Sequence, residues 1–115
     1  MMPFERLEAW KSSHQLALAV YECSDEWPSI ERYALTAQLR RAAVSIPANI
    51  AEGYAKRGTR DLRRYLDISL SSFSELTYLL IFARERGLPM PDAVEQLRTQ
   101  TGRQLWGLYR SAARD

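Results

Sequence analysis

Apolar positions recur every three or four residues almost from one end of the chain to the other, and no strand-like alternation lasts more than a few residues. That period belongs to α-helices. A first helix over about Glu5–Glu26 places Leu7, Trp10, His14, Ala17, Leu18 and Tyr21 on one face, and Trp27-Pro28-Ser29 ends it. Ser29 is suited to cap the second helix, with Glu31 near its positive end. That helix runs to about Ala55 with Leu35, Leu39, Ala42, Ile46, Ile50 and Gly53 as its seam. After the turn Lys56-Arg57-Gly58-Thr59, Thr59 caps a third helix whose Leu62, Leu66, Ser69, Phe73, Leu76, Leu80 and Ala83 alternate steps of four and three, a heptad seam. Gly87 suits the residue just past a helix end, and Pro91 with Asp92 opens a fourth helix. The fourth seam is Val94, Leu97, Thr101, Leu105, Leu108 and Ala112. Helices 2 and 3 are each about 27 residues, roughly 40 Å long. Short turns between such helices predict one all-α domain over residues 1–115, an antiparallel up-down-up-down four-helix bundle.

Helix 2 carries a proline inside its periodic pattern. Pro47 has no N–H, and its ring crowds the Ala43 carbonyl, so the helix is expected to bend or pause there. Beside the seam runs a polar stripe of Gln38, Arg41, Ser45, Asn49, Glu52 and Lys56. Ser45 and Asn49 flank Pro47 and are placed to satisfy freed backbone groups. Glu52 is placed to pair with Arg41, with Lys56 or with an arginine of a neighbouring subunit. A network of this kind also arises solely to fix packing and register, because buried polar groups need partners whatever the function.

Two outer faces are less polar than a monomeric bundle requires. Opposite its seam, helix 2 presents Ala34, Ala37, Arg41, Val44, Ala48 and Ala55, mostly small. Helix 3 presents Arg60, Arg64, Ser71, Tyr78 and Phe82, with Leu70 and Ile81 on the flank. Small residues admit a second backbone and aromatic ones offer area to bury, so a homo-oligomer is expected with Arg41, Val44, Ala48, Glu52, Tyr78 and Phe82 at its interface.

Composition adds limits. The 115 residues suffice for one core, and 46% hydrophobic with 26% charged residues is ordinary for a globular domain. No uninterrupted apolar run approaches the roughly 18 residues of a membrane span, and the first residues lack a basic-then-apolar leader, so neither membrane association nor export is expected. The single cysteine, Cys23, excludes an intrachain disulfide and a thiolate metal site, and a cytoplasmic location follows. The net charge of +2 is unevenly spread: residues 40–64 are +5 and residues 98–115 are +3, while residues 1–39 and 65–97 are each −3. Lys11 and Lys56 are the only lysines; the other cations are arginines, which favour phosphate and carboxylate forks.

Catalytic motifs are lacking. His14 is the one histidine and stands nine residues from Cys23, on the opposite side of the helix. The sequence has no Glu-x-x-His pair for a bundle metal site, no P-loop and no dinucleotide fingerprint. No enzymatic activity, metal or cofactor is therefore expected. The basic residues offer more. Lys56, Arg57, Arg60, Arg63 and Arg64 cluster around one turn and the start of helix 3, where a helix N-terminus already favours phosphate. Tyr54 and Tyr65 are the nearby aromatics for stacking. A solvated basic turn with no ligand would carry the same residues.

At Gln38-Leu-Arg-Arg-Ala-Ala…Ser45-Ile-Pro47-Ala-Asn49-Ile-Ala-Glu52-Gly53 the chain resembles the four-helix-bundle proteins encoded in ribosomal-RNA intervening sequences, with the accessory variability proteins of diversity-generating retroelements as related members. Phe4, Leu7, Trp10 and Tyr21 extend the match in helix 1, and Arg64-Tyr-Leu-Asp-Ile-Ser-Leu-Ser-Ser-Phe-Ser-Glu-Leu76 extends it in helix 3. The resemblance implies an up-down bundle assembled as a homopentameric ring. In the retroelement branch it further implies a basic barrel that binds nucleic acid and a nucleic-acid-processing protein, a reverse transcriptase. No catalytic residue carries over. The expected function is that of a non-enzymatic, homo-oligomeric nucleic-acid or ribonucleoprotein accessory factor; the alternative is a protein–protein interaction scaffold with no nucleic-acid role.

Overall fold

A computed structural model describes residues 1–113, apart from the side chains of Arg32, Tyr33 and Ala113. Arg114 and Asp115, counted above in the C-terminal charge block and in the domain, lie outside the described residues. Among the described residues, four α-helices make the fold: α1 (Glu8–Ser24), α2 (Ala37–Gly53), α3 (Thr59–Glu85) and α4 (Asp92–Ala113). Two expected ranges shorten. Pro3–Arg6 is a separate 3-10 turn ahead of α1, and Leu7 leaves the helical region between them. The stretch before α2 is a 3-10 turn at Ser29–Glu31 followed by a π segment at Arg32–Thr36, so regular α2 has 17 residues rather than about 27. α3 has the expected 27 residues, but Gly58 and not Thr59 is its N-cap. Gly87 closes α3 at φ +82°, a conformation that a residue without Cβ adopts at no steric cost.

Most of the seams of α2, α3 and α4, with Leu16 and Val20 of α1, make the core. Leu39, Ile46, Ile50, Leu66, Leu76 and Leu105 have almost no accessible surface. Truncating any of these to Ala would cost about 2–5 kcal/mol through lost burial and residual cavity. By length and composition α3 is also the one helix among the described residues that would suit a membrane span, although Asp67 and Glu75 interrupt it; here its seam is spent on the core.

α1 differs from its predicted face. Of the expected face Ala17 is buried and Leu7 and Trp10 are packed partly buried against the core, but the buried side is otherwise Ala9, Ser12, Ser13, Leu16, Val20, Cys23 and Ser24, whereas Leu18 is 52% and Tyr21 42% exposed. His14 is half-buried on the flank, stacked on Trp10 with ring centroids 4.9 Å apart. The inward serines are satisfied by the helix itself: Ser13 donates to the Trp10 carbonyl and Ser24 to that of Val20. Small hydroxyl residues thus fill core positions that a hydropathy pattern assigns to solvent.

Cross-helix bonds set the order of the helices. Gln38 donates to Glu75, Ser45 shares a hydroxyl bond with Ser72 at 2.7 Å, and Gly53 lies against Leu62 and Tyr65. Ser12 meets Gln104, while the Cys23 thiol and the Trp27 indole N–H both donate to the Pro89 carbonyl. Gly102 rests on the Phe73 ring, and Arg84 pairs with Glu95. Numbers rise on one helix as they fall on its neighbour, the pattern of an up-down order. The α2–α3 turn and the α3–α4 turn therefore stand at opposite ends of a molecule 44 Å long.

Candidate nucleic-acid interface and outer faces

Pro47 sits buried in the middle of α2, and the helix passes through it without a break. Ser45 and Asn49 do not serve the Ala43 carbonyl as expected. Asn49 instead donates to the Ser45 carbonyl at 2.8 Å and to its hydroxyl at 3.0 Å, and Ser69 of α3 donates to the Ile46 carbonyl at 2.8 Å. The carbonyls reinforced are therefore the two just before the proline. Gly53 completes the motif for a different reason. A Cβ there would stand 3.0 Å from Tyr65 Cβ and 3.2 Å from Leu62 Cδ1, so its absence lets the end of α2 lie against the start of α3. Gln38, Ser45 and Gly53 thus tie α2 to α3, while Asn49 braces the turn of α2 that holds the buried Pro47.

Arg41 and Glu52 behave otherwise. Both are exposed, and among the described residues neither forms an intrachain ion pair, so the expected Glu52 pairing with Arg41 or Lys56 is absent. Arg40, next in sequence, is fully engaged: it donates to Ser24, to the Tyr21 carbonyl and to Asp25, and its guanidinium lies 4.6 Å from the Tyr21 ring centroid. It fastens α2 to the last turn of α1. Beside it Val44 and Ala48 face outward over a shallow groove that also involves Ala37 and Tyr21. On α3, Tyr78 and Phe82 are 60% and 43% exposed and touch each other, ring centroids 6.3 Å apart.

The basic cluster comes together as expected from its spacing. Lys56, Arg57, Arg60, Arg63 and Arg64 are all exposed around the α2–α3 turn. Asp61 is the acidic neighbour, 3.9 Å from Arg64. Gly58 offers no side-chain cap, so the first N–H groups of α3 have no side-chain acceptor. Cations and unbonded N–H groups of one helix end favour phosphate together. Tyr65 is not free to stack, because Lys56 and Arg64 lie over its ring at 5.2 and 5.4 Å from the centroid. Base contacts near this turn therefore need an aromatic other than Tyr65.

The opposite end is acidic. Glu22 and Glu26 around the end of α1, Glu85 at the end of α3 and Asp92 at the start of α4 are all exposed, and the Pro89 carbonyl bonds hold the end of α1 against the segment before α4. Arg84 and Arg86 there are occupied by Glu95 and Glu31. Burial pushes the Cys23 thiol up from its ordinary value, which leaves it a structural donor rather than a nucleophile. Among the described residues no three His, Cys, Asp or Glu side chains are grouped so as to hold a metal.

Fold and site together define a small all-helical bundle with one basic end and apolar side chains on its outer faces. The chain belongs to the 23S rRNA-intervening sequence protein family, whose model matches residues 5–105. A comparison with curated proteins gave no match.

Proposed function

We propose that this member of the family is a non-enzymatic accessory factor, a homo-oligomer that holds nucleic acid by its phosphates at the α2–α3 turn. The single observation that carries the reading is the turn itself: five exposed cations with one acidic neighbour, around an N-terminal helix end without a side-chain cap. Oligomerisation repeats the turn and multiplies the field. The exposed pair Tyr78 and Phe82 on α3 and the small-residue face of Arg41, Val44 and Ala48 on α2, with Glu52 at its edge, supply the contact surfaces. A ring of five copies is what the resemblance implies, and Glu52 then finds its cation on a neighbouring copy.

Anisotropy of a labelled 20-nucleotide RNA across a salt series tests the binding. Neutralising three to five phosphates per site predicts a slope of log K against log salt of about −2 to −3.5 for a single strand. Replacing Arg57, Arg60 and Arg64 by Ala should abolish most binding at low salt. Affinity unchanged by that triple replacement would sink the reading and leave the interaction-scaffold alternative. Light scattering tests the assembly: Tyr78→Arg with Phe82→Arg should reduce the particle mass to that of a smaller species, and an unchanged large mass would remove α3 from the interface.

A further inference from the structure

The basic turn does not end at Arg64. Along α3 the stripe Arg60, Arg64, Asp67, Ser71 and Ser74 keeps helical spacing on one side. Asp67, Ser71 and Ser74, together with Leu70, form one wall of a groove of about 520 Å³, and Trp106 and Tyr109 of α4 form the other. Trp106 is 47% exposed, the most accessible indole in the molecule, since Trp27 is buried and Trp10 half-buried. Its ring stands edge-on to Tyr109, with centroids 6.0 Å apart and planes at 84°. Arg103 and Arg110 lie three residues before and four after Trp106, on the same stripe of α4, both exposed and without an ion-pair partner among the described residues. Cations thus flank an exposed indole, and the groove leads from it toward the basic turn.

We propose that the α3–α4 groove is a single-strand site, in which bases stack on Trp106 while Arg103 and Arg110 on α4 and Arg60 and Arg64 on α3 take the phosphates. The proposal rests on the phosphate-binding reading given above and adds the class of nucleic acid and the residue that selects it. A duplex keeps its base faces inside the stack, whereas an unpaired strand offers a π-face at every base and follows a positive groove. The α3 wall adds a preference. The Asp67 carboxylate only accepts hydrogen bonds, so it favours bases with an exocyclic amino group, such as cytosine N4, over thymine, whose one donor, N3–H, stands between two carbonyl acceptors. Along the two helix stripes that flank the groove, Arg60, Arg64, Arg103 and Arg110 outnumber Asp67, which suits a polyanion and opposes an acidic protein segment.

Fluorescein-labelled (dC)12, (dT)12 and a 12-base-pair duplex are the probes, read by anisotropy, with circular dichroism and light scattering on each variant to verify fold and mass. Wild type should bind (dC)12 more tightly than (dT)12 or the duplex. Trp106→Ala should weaken (dC)12 about tenfold with the salt slope unchanged, and Trp106→Phe should recover most of the loss. Arg110→Gln should instead reduce the salt slope by about 0.7, one phosphate contact. If Trp106→Ala binds as wild type while the Arg57/Arg60/Arg64 variant does not, the stacking site is wrong and the phosphate reading stands. No binding by wild type at low salt overturns both. Loss of binding by Trp106→Ala together with a fall in particle mass assigns the groove to a contact between copies and overturns the proposal. Equal affinity for (dC)12 and (dT)12 overturns the role given to Asp67.

Discussion

Thr101 is wholly buried in the α4 seam, and its hydroxyl has no hydrogen-bond partner among the described residues. An unsatisfied buried hydroxyl costs about 1–3 kcal/mol, and Val has the same branching. Thr101→Val is therefore expected to stabilise the fold by about 1 kcal/mol, measured as a higher urea midpoint at constant m-value. A second residue-scale prediction concerns Glu95. Its hydrogen bond to Arg98, with the charges of Arg98 and Arg84, holds the carboxyl below its ordinary range. A depressed folded-state value means that the contribution is complete above the unfolded value and is lost as pH falls through the folded one. Glu95 is 40% accessible, so solvent screens the pair and a few tenths of a kcal/mol is the expected scale. Glu95→Gln should lower the melting temperature slightly at pH 7. The difference should close on acidification below about pH 4, and a difference constant from pH 7 to pH 3 would exclude the ion pair as its cause.

At the scale of elements, Gly102 and Phe73 set how closely α4 approaches α3. A Cβ on residue 102 would stand 2.7 Å from the Phe73 ring tip, and that ring is itself buried. Ala gains about 1 kcal/mol in helix propensity over Gly, but overpacking costs about 1–3. Gly102→Ala is expected to be destabilising in the wild type and neutral or stabilising beside Phe73→Leu; additive effects in that double-mutant cycle would mean the contact does not limit the packing. For α2, Pro47→Ala restores an N–H for the Ala43 carbonyl. It should raise the melting temperature, since an interior proline costs about 3 kcal/mol and the lost ring leaves only a small void. The elements differ in how legible they were. The seams of α2, α3 and α4 were readable because Leu, Ile and Ala carry them at regular spacing. The face of α1 was not, because serines that bond back to their own helix stand inward while Leu18 and Tyr21 stand outward. Pro47 announced a bend that packing and the Ser69 bond across to α3 keep from breaking the helix. The basic turn is contiguous in sequence and so was visible; Trp106 joins it only because α4 folds back along α3, and nothing near Arg64 points to it.

For the whole molecule, Leu18, Tyr21, Val44, Tyr78 and Phe82 put large apolar side chains on the outer faces. If copies assemble through these faces, unfolding is coupled to dissociation, and the melting temperature should rise with protein concentration. A melting temperature constant over a hundredfold range of concentration would show that each copy is stable without the others. Lys56–Arg64 and the Glu22, Glu26, Glu85 and Asp92 group lie toward opposite ends of the molecule, so charge of opposite sign is separated along it although its net charge is only +2. Such a molecule is turned by the field of a polyanion before it touches it. On the phosphate-binding reading it arrives basic end first and presents its acidic end outward, so a bound strand would be coated with the opposite sign of charge from the one that captured it, and a second polyanion would be turned away.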